Sequence, residues 1–272
     1  MSSYENYTRT SDDYDRTRQA EGIELIKVGL ARGSQPLARQ VLLDAGCGTG
    51  QYSKALLSQV DPVMMAHGNL TEASTLNLAR QIDAIVLGNS ELVRVARSQV
   101  RQLPDNETLV SIDVDHPDTG YTLYMQGDNT SFEERARFRL LAQIISSPFY
   151  EEIRTNRQMG YIVYATPFEM LETPALGFVV QSPSASPAEI DQAVQEFSNS
   201  FEETLSALTA ERLDREKQAV ISKLLERDRQ LGEISSRYWR EIDRGMDTFD
   251  SRQQLANAIK QVGKPQLLET FK

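Results

Sequence analysis

The spacing of hydrophobic residues changes along the chain and separates predicted strands from predicted helices. Apolar and polar residues alternate over residues 109–114 and 121–125, on either side of a turn at residues 116–120. The same alternation recurs over residues 161–168 and 176–181. A period of two is typical of strands that bury one face. The pattern therefore predicts two pairs of antiparallel strands.

Helix start signals lie before and between these strands. Thr71 occupies the N-cap position of a predicted helix. Ser131 and Glu134 have the spacing of a capping box, and the apolar residues after them recur every three to four positions. Pro148 is predicted to begin a further helix, which Gly160 ends.

The C-terminal third shows only the helical period. Ser186 and Glu189 form a second capping box, with Pro187 at the first helical position. Further helical patterns cover residues 209–225, 232–244, 251–262 and 265–271. Strand pairs followed by runs of helices predict an α+β fold, an antiparallel sheet with helices packed on it.

The first sixty residues contain a separate pattern, a short leader of helix, strand, glycine loop and helix. Its string VLLDAGCGTG places three glycines after an apolar run. Glycines let the backbone approach a ligand closely, and the following helix presents its positive N-terminus. The string resembles motif I of class I S-adenosylmethionine-dependent methyltransferases, over residues 1–59. The resemblance implies that Asp44 and the backbone at Gly46 and Gly48 hold the amino-acid end of the cofactor.

The rest of that methyltransferase pattern is missing. In that family a second strand ends in an acidic residue that binds the cofactor's ribose, whereas the apolar run at residues 63–67 ends without one. The alternating strands and helices of a parallel sheet are missing too. The alternative to cofactor binding is that residues 1–62 are a remnant that packs on the neighbouring domain.

Composition narrows the choice of partners. The 272 residues are 40% hydrophobic and 25% charged, which is ordinary for a globular protein. The net charge of −10 does not favour a nucleic-acid partner. Cys47 is the only cysteine, so an internal disulfide is excluded. The sequence shows neither a signal peptide nor an apolar run of about 20 residues, so we expect a cytoplasmic protein without a membrane partner.

A second resemblance covers about three quarters of the chain. It is carried by AQIISSPFYEEIRTNRQMGYIVYATP, LGFVVQSPSASP and WREIDRGMDTFDSR. These strings resemble the C-terminal half of pitrilysin and insulysin, which are inverted-zincin peptidases. The resemblance implies a clamshell of four similar α+β domains whose N-terminal half carries zinc. Residues 63–100 would end the third domain, and residues 101–272 would form the fourth without its last strand.

The same resemblance implies that Arg154 and Tyr161 reach toward a bound peptide. A guanidinium can donate paired hydrogen bonds to substrate carbonyls or a carboxylate, and a phenol can donate to a developing oxyanion. Gly160 is expected to permit the tight turn before the strand of Tyr161.

Inverted zincins require H-x-x-E-H on a helix, and the sequence lacks this motif. The two histidines, His67 and His116, are far apart in sequence and are expected to have structural roles. We therefore predict no catalytic residue and no metal site in the chain itself. Zinc, by resemblance, would be bound by a partner half.

Three hypotheses follow. The first is a non-catalytic, peptide-enclosing portion of a pitrilysin-type peptidase, which acts beside a zinc-bearing N-terminal half supplied in trans or associates with itself. The second is a methyltransferase remnant, which would bind S-adenosylmethionine. The third is a fusion product that serves only as an interaction module.

Overall fold

The computed structural model describes residues 65, 68, 70–82, 84, 99–104, 106–246 and 248–271. The chain divides into two compact units, Met1–Arg97 and Ser98–Lys272. The predicted leader lies outside the described residues. In the first unit, helix α1 spans Glu72–Ile82, and the Thr71 hydroxyl oxygen accepts the Ser74 N–H at 3.2 Å, as the predicted N-cap requires. None of the described helices is long and apolar enough to cross a membrane.

The second unit contains a three-stranded antiparallel sheet. Its strands are β1 (Thr119–Gln126), β2 (Ile162–Met170) and β3 (Thr173–Ser182), in the order β1-β3-β2. A two-residue turn joins β2 to β3, and both of its residues, Leu171 and Glu172, have positive φ values. Two left-handed residues are the signature of a type I′ turn, whose twist matches that of the strands.

The prediction of a strand at residues 109–114 is wrong for the described chain. No described residue pairs with this segment, and its apolar side chains are 66–87% exposed. The neighbour of β1 in the sheet is β3, which is distant in sequence. Alternation predicts a strand only where a partner edge and a surface to cover its apolar face are both present.

Seven α-helices are described, with a π-helical turn at Glu151–Asn156. After α1 they are α2 (Phe132–Tyr150), α3 (Pro187–Ser206), α4 (Ala210–Leu224), α5 (Leu231–Arg244), α6 (Ser251–Gln261) and α7 (Lys264–Phe271). The helix predicted to begin at Pro148 is part of α2. Pro148 has no N–H to donate to the Ile144 oxygen, so one hydrogen bond of α2 is missing, and the chain continues directly into the π-helical turn. Gln158, with φ of 54°, follows that turn before Gly160 is reached.

The core forms where α2 packs between the sheet and the other helices. Phe149 of α2 is fully buried, with its ring centroid 4.9 Å from that of Phe178 in β3 and 5.3 Å from that of Phe197 in α3. Phe197 in turn stacks on Phe201, which contacts Phe271 of α7. Burying each such side chain contributes roughly 1.5–3 kcal/mol. The predicted α+β fold with an antiparallel sheet is thus confirmed.

Candidate functional site

One face of the sheet carries apolar side chains that no described helix covers. Alternate residues of β2 point away from the core, and Ile162, Tyr164, Phe168 and Met170 are 39–49% exposed. Tyr124 of β1 joins them, because its ring lies edge-on to Phe168 with centroids 5.8 Å apart. We call these five residues the aromatic face. An uncovered group of large apolar side chains is typical of a binding surface.

β3 lies between the strands that carry the two aromatic rings and has a glycine opposite Tyr124. Gly177 pairs with Tyr124 on one side and with Thr166 on the other. A Cβ at residue 177 would meet only Thr166, at 3.8 Å, so neither ring lies within 4 Å of that position. The contact between the two rings joins the β1 and β2 parts of the aromatic face.

Tyr161 lies at the end of the sheet where β1 begins, and its hydroxyl is engaged. It donates to Asp118 Oδ2 at 2.6 Å, and Gln181 Nε2 donates to the same oxygen at 3.4 Å. The hydrogen bond to Asp118, with smaller effects of burial and of the negative charge, raises the pKa of Tyr161 above its ordinary value of 10.0. The phenol therefore remains a proton donor at neutral pH.

The backbone around Asp118 explains the role of a histidine. His116 Nδ1 accepts the Asp118 N–H at 3.1 Å, and His116 itself is exposed. The imidazole thus shapes the turn that brings the Asp118 carboxylate to Tyr161. This is a structural role of the kind expected for His116.

Gly160 positions Tyr161 by close approach and not by a left-handed turn. A Cβ at residue 160 would lie 2.6 Å from the Gln181 backbone oxygen. That same oxygen accepts the Tyr161 N–H at 3.0 Å. The residue with a positive φ near this point is Gln158. A side chain at residue 160 would separate the start of β2 from the end of β3.

Arg154 lies on the π-helical turn, half-buried, and makes no ion pair or hydrogen bond with a described residue. Arg157 differs, since its guanidinium contacts Glu152 at 2.8 Å and Glu196 at 2.6 Å. The Met159 N–H donates to the Ile153 oxygen at 3.0 Å and folds the connection back onto the π-helical turn. Arg154 and Tyr161 thus flank one short connection, and no hydrogen bond joins their side chains.

His67 lies outside the described part of the chain, and so do the predicted cofactor-binding residues Asp44, Gly46 and Gly48. Their proposed contacts with S-adenosylmethionine stay predictions. Among the described residues, no group of three or more His, Cys, Asp or Glu side chains could hold a metal ion. The resemblance assigns zinc to a partner half, so we assign no chemical step in this part of the chain to a metal.

Sequence reasoning missed an ion cluster at the other end of β2. Glu169 accepts hydrogen bonds from Arg135, at 3.2 and 2.9 Å, from Arg244 at 3.0 Å and from Arg139 at 3.4 Å. Burial alone raises the pKa of Glu169, but the three guanidinium groups, Arg135 first, outweigh it and hold the pKa below its ordinary value. The cluster lines a cavity of about 1330 Å³ between β2 and the helices. The signal available in the sequence was a charged residue at a core-facing position of a strand.

Comparison with known proteins covers both sequence and fold. Residues 140–239 match the sequence model of a family described as PQQ synthase PqqF-like, C-terminal lobe domain 4. Protease 3 of Escherichia coli strain K12 is 30% identical to this chain over 228 residues, which are 81% of this chain and 23% of that protein. The chain thus spans about a quarter of the length of the curated relatives it matches.

Solved structures extend the likeness to the fold. The crystal structure of pitrilysin superposes with a TM-score of 0.62 at 22% identity, over 97% of this chain and 29% of that one. A peptidase M16 inactive domain from Pseudomonas fluorescens superposes with a TM-score of 0.50 at 14% identity, over 84% of this chain and 53% of that one. In sequence and in fold, the chain is therefore similar to the C-terminal lobe of the pitrilysin/insulinase peptidases.

Proposed function

We propose that this chain is a non-catalytic, substrate-enclosing portion of a pitrilysin-type peptidase and contributes peptide binding to a zinc-bearing half supplied elsewhere. The observation that carries the proposal is the match of residues 140–239 to a domain of a C-terminal lobe. In this proposal residues 63–100 end a preceding domain, and residues 101–272 form the final α+β domain. Residues 1–62 retain their methyltransferase-like prediction.

The aromatic face supplies the binding surface in this proposal. An extended peptide laid against it would bury its apolar side chains on the exposed rings of Tyr164 and Phe168 and on the half-buried ring of Tyr124. β2 has no described strand on one side, and this edge offers backbone hydrogen bonds beside the aromatic face, so the peptide can bind as an added strand. Recognition of backbone together with scattered apolar side chains suits a peptidase with broad specificity.

Arg154 and Tyr161 supply the polar contacts. The Arg154 guanidinium has no described partner and can donate paired hydrogen bonds to peptide carbonyls or a terminal carboxylate. The Tyr161 phenol stays protonated and can donate to an oxyanion once it leaves Asp118. Neither residue supplies a nucleophile or a base. In this proposal Arg154 and Tyr161 assist a cleavage that the zinc-bearing half performs.

Binding can be tested directly with a fluorescein-labelled unstructured peptide and the full chain. We expect saturable anisotropy, weakened several-fold by Arg154→Gln and by Phe168→Ala. Arg212→Gln, at an exposed position on α4, is the matched control and should leave binding unchanged. Equal binding by all variants would contradict the assignment of this face.

Activity is tested by a peptidase assay with and without a purified chain that carries H-x-x-E-H. We expect cleavage only in the mixture, with a lower kcat for Tyr161→Phe. Metal-dependent cleavage by this chain alone would overturn the proposal. So would cleavage by the H-x-x-E-H chain at a rate that does not change when this chain is added.

A further inference from the structure

A short segment before β1 has the features of a strand but no described partner. Over residues 108–114 the side chains of Leu109, Val110, Ile112 and Val114 are 87, 72, 77 and 66% exposed. Alternation places Val110, Ile112 and Val114 on one face of an extended chain. β-Branched residues favour the extended conformation, and exposing three of them together is unfavourable in water. We call residues 108–114 the unpaired segment.

An edge of matching length exists in the same chain. β2 pairs with β3 on one side, and no described strand lies on its other side. Pro167 has no N–H and interrupts this free edge, which leaves Ile162–Thr166 available. Those five residues equal in number residues 110–114 of the unpaired segment. Ile162 and Tyr164 are exposed there and can cover its apolar face.

The charges around the free edge of β2 favour binding of the unpaired segment. Acidic residues flank the apolar positions of the unpaired segment, at Glu107, Asp113 and Asp115. The cavity beside β2, which Ala165 and Thr166 line, has nine basic and five acidic side chains around it. This local excess of positive charge stands in a chain of net charge −10. An acidic strand would therefore be attracted to this edge and repelled by most other surfaces of the molecule.

We propose that copies of this chain associate when the unpaired segment of one copy adds as a fourth strand to the free edge of β2 in another. The new strand buries Val110, Ile112 and Val114 and satisfies backbone groups on both chains. Donor and acceptor are different surfaces, so the contact is heterologous and does not have to close at a dimer. This inference concerns self-association and goes beyond the proposed peptidase role, and the added strand would compete with the proposed peptide for the same edge of β2.

Sedimentation velocity of the full chain over a concentration series tests the proposal. We expect the weight-average sedimentation coefficient to rise with concentration and the rise to disappear in Ile112→Asp. Leu231→Asp is the matched control, because Leu231 is 60% exposed on α5. This variant should associate like the wild type. A chain that is monomeric at all concentrations, or an Ile112→Asp variant that associates normally, would overturn the proposal.

A synthetic peptide of sequence ETLVSIDVD locates the acceptor independently of any folding defect. Added to the full chain, it should reduce self-association and slow hydrogen exchange in β2 between residues 162 and 166. Slowed exchange at another surface, with β2 unchanged, would show that the segment has a different partner and that the proposal is wrong.

Discussion

The two faces of the sheet are built from the same strands with similar apolar side chains, yet they have opposite roles. On the inner face, Val163, Ala165, Phe178 and Val180 are at most 5% exposed. On the outer face, the residues of β2 in the aromatic face remain 39–49% exposed. The difference comes from α2, which packs on β2 and β3 from one side only. Apolar residues on the inner face stabilise the fold, whereas those on the outer face are free to bind a partner.

The sharpest test of this difference compares one phenylalanine from each face. Phe178→Ala should lower the free energy of unfolding by about 3–5 kcal/mol, since it opens a cavity beside Phe149. Phe168→Ala, at a 46% exposed position, should cost less than about 1 kcal/mol. Urea unfolding followed by circular dichroism measures both. Similar losses would contradict the assignment of different roles to the two faces.

The inner face also holds a charge, and Glu169→Gln tests why it is tolerated there. The Glu169 side chain is 15% exposed and contacts three arginines. Removing its charge leaves Arg135 and Arg139 uncompensated, whereas Arg244 keeps its ion pair with Glu172 at 2.8 Å, so we expect a loss of about 3 kcal/mol at neutral pH. Glu133→Gln, at an exposed position of α2, should be close to neutral.

The effect of Glu169→Gln should depend on pH. The pKa of Glu169 is held below its ordinary value of 4.5, so its stabilising contribution is complete above that pH. It is lost as the pH falls through the lowered pKa in the folded state. The stability difference between wild type and variant should therefore shrink in acid. A difference that stays constant below pH 4.5 would contradict the ion cluster as its origin.

Gly160→Ala tests how the outer face is joined to Tyr161. The added Cβ would meet the Gln181 oxygen at 2.6 Å, so β2 must shift away from β3, at a cost of about 2 kcal/mol. Gly120→Ala is a matched control in the same sheet, because a Cβ at Gly120 meets nothing within 4 Å. Equal stability of the two variants would show that the close approach at Gly160 is unimportant.

The smallest effect on stability is expected for Asp118→Ala, which should act on Tyr161 instead. Without the acceptor, the pKa of Tyr161 should fall back toward its ordinary value of 10.0. Titration by NMR of chains labelled at the tyrosine ring carbon, with the signal assigned by Tyr161→Phe, measures this pKa. Asp115→Ala removes an exposed neighbouring carboxylate and should leave it unchanged.

Capping motifs in the sequence predicted where these helices start, but which hydrogen bonds form at each cap depends on nearby residues in the fold. Ser186 and Glu189 form the complete capping box, with the Ser186 N–H donating to Glu189 at 2.8 Å. Ser131 caps α2 as predicted, yet the Glu134 carboxylate accepts from Asp128 N–H at 3.4 Å and not from Ser131. The backbone N–H of Ser131 donates instead to Asn129 at 2.9 Å.

Residues of the candidate site were predicted only where the sequence resembles the pitrilysin type. Arg154 and Tyr161 were identified from the string that matches the pitrilysin type, and their use in peptide binding stays a prediction. Asp118 could not be identified, because it meets Tyr161 across 43 positions of sequence. The aromatic face was likewise hidden, because alternation predicts that a strand has two faces but not which face the helices will cover.

The sequence by itself determined the α+β class, the α1, α2 and α3 starts and most strands of the sheet, because capping and alternation act within a few residues. Tertiary structure alone decided that β1 pairs with β3, that residues 109–114 find no described partner, and that Glu169 collects three arginines. Pairing, covering and charge neutralisation join residues far apart along the chain. The free energy of each such contact depends on which surfaces meet in the folded chain. The spacing of residues along the sequence does not predict those contacts.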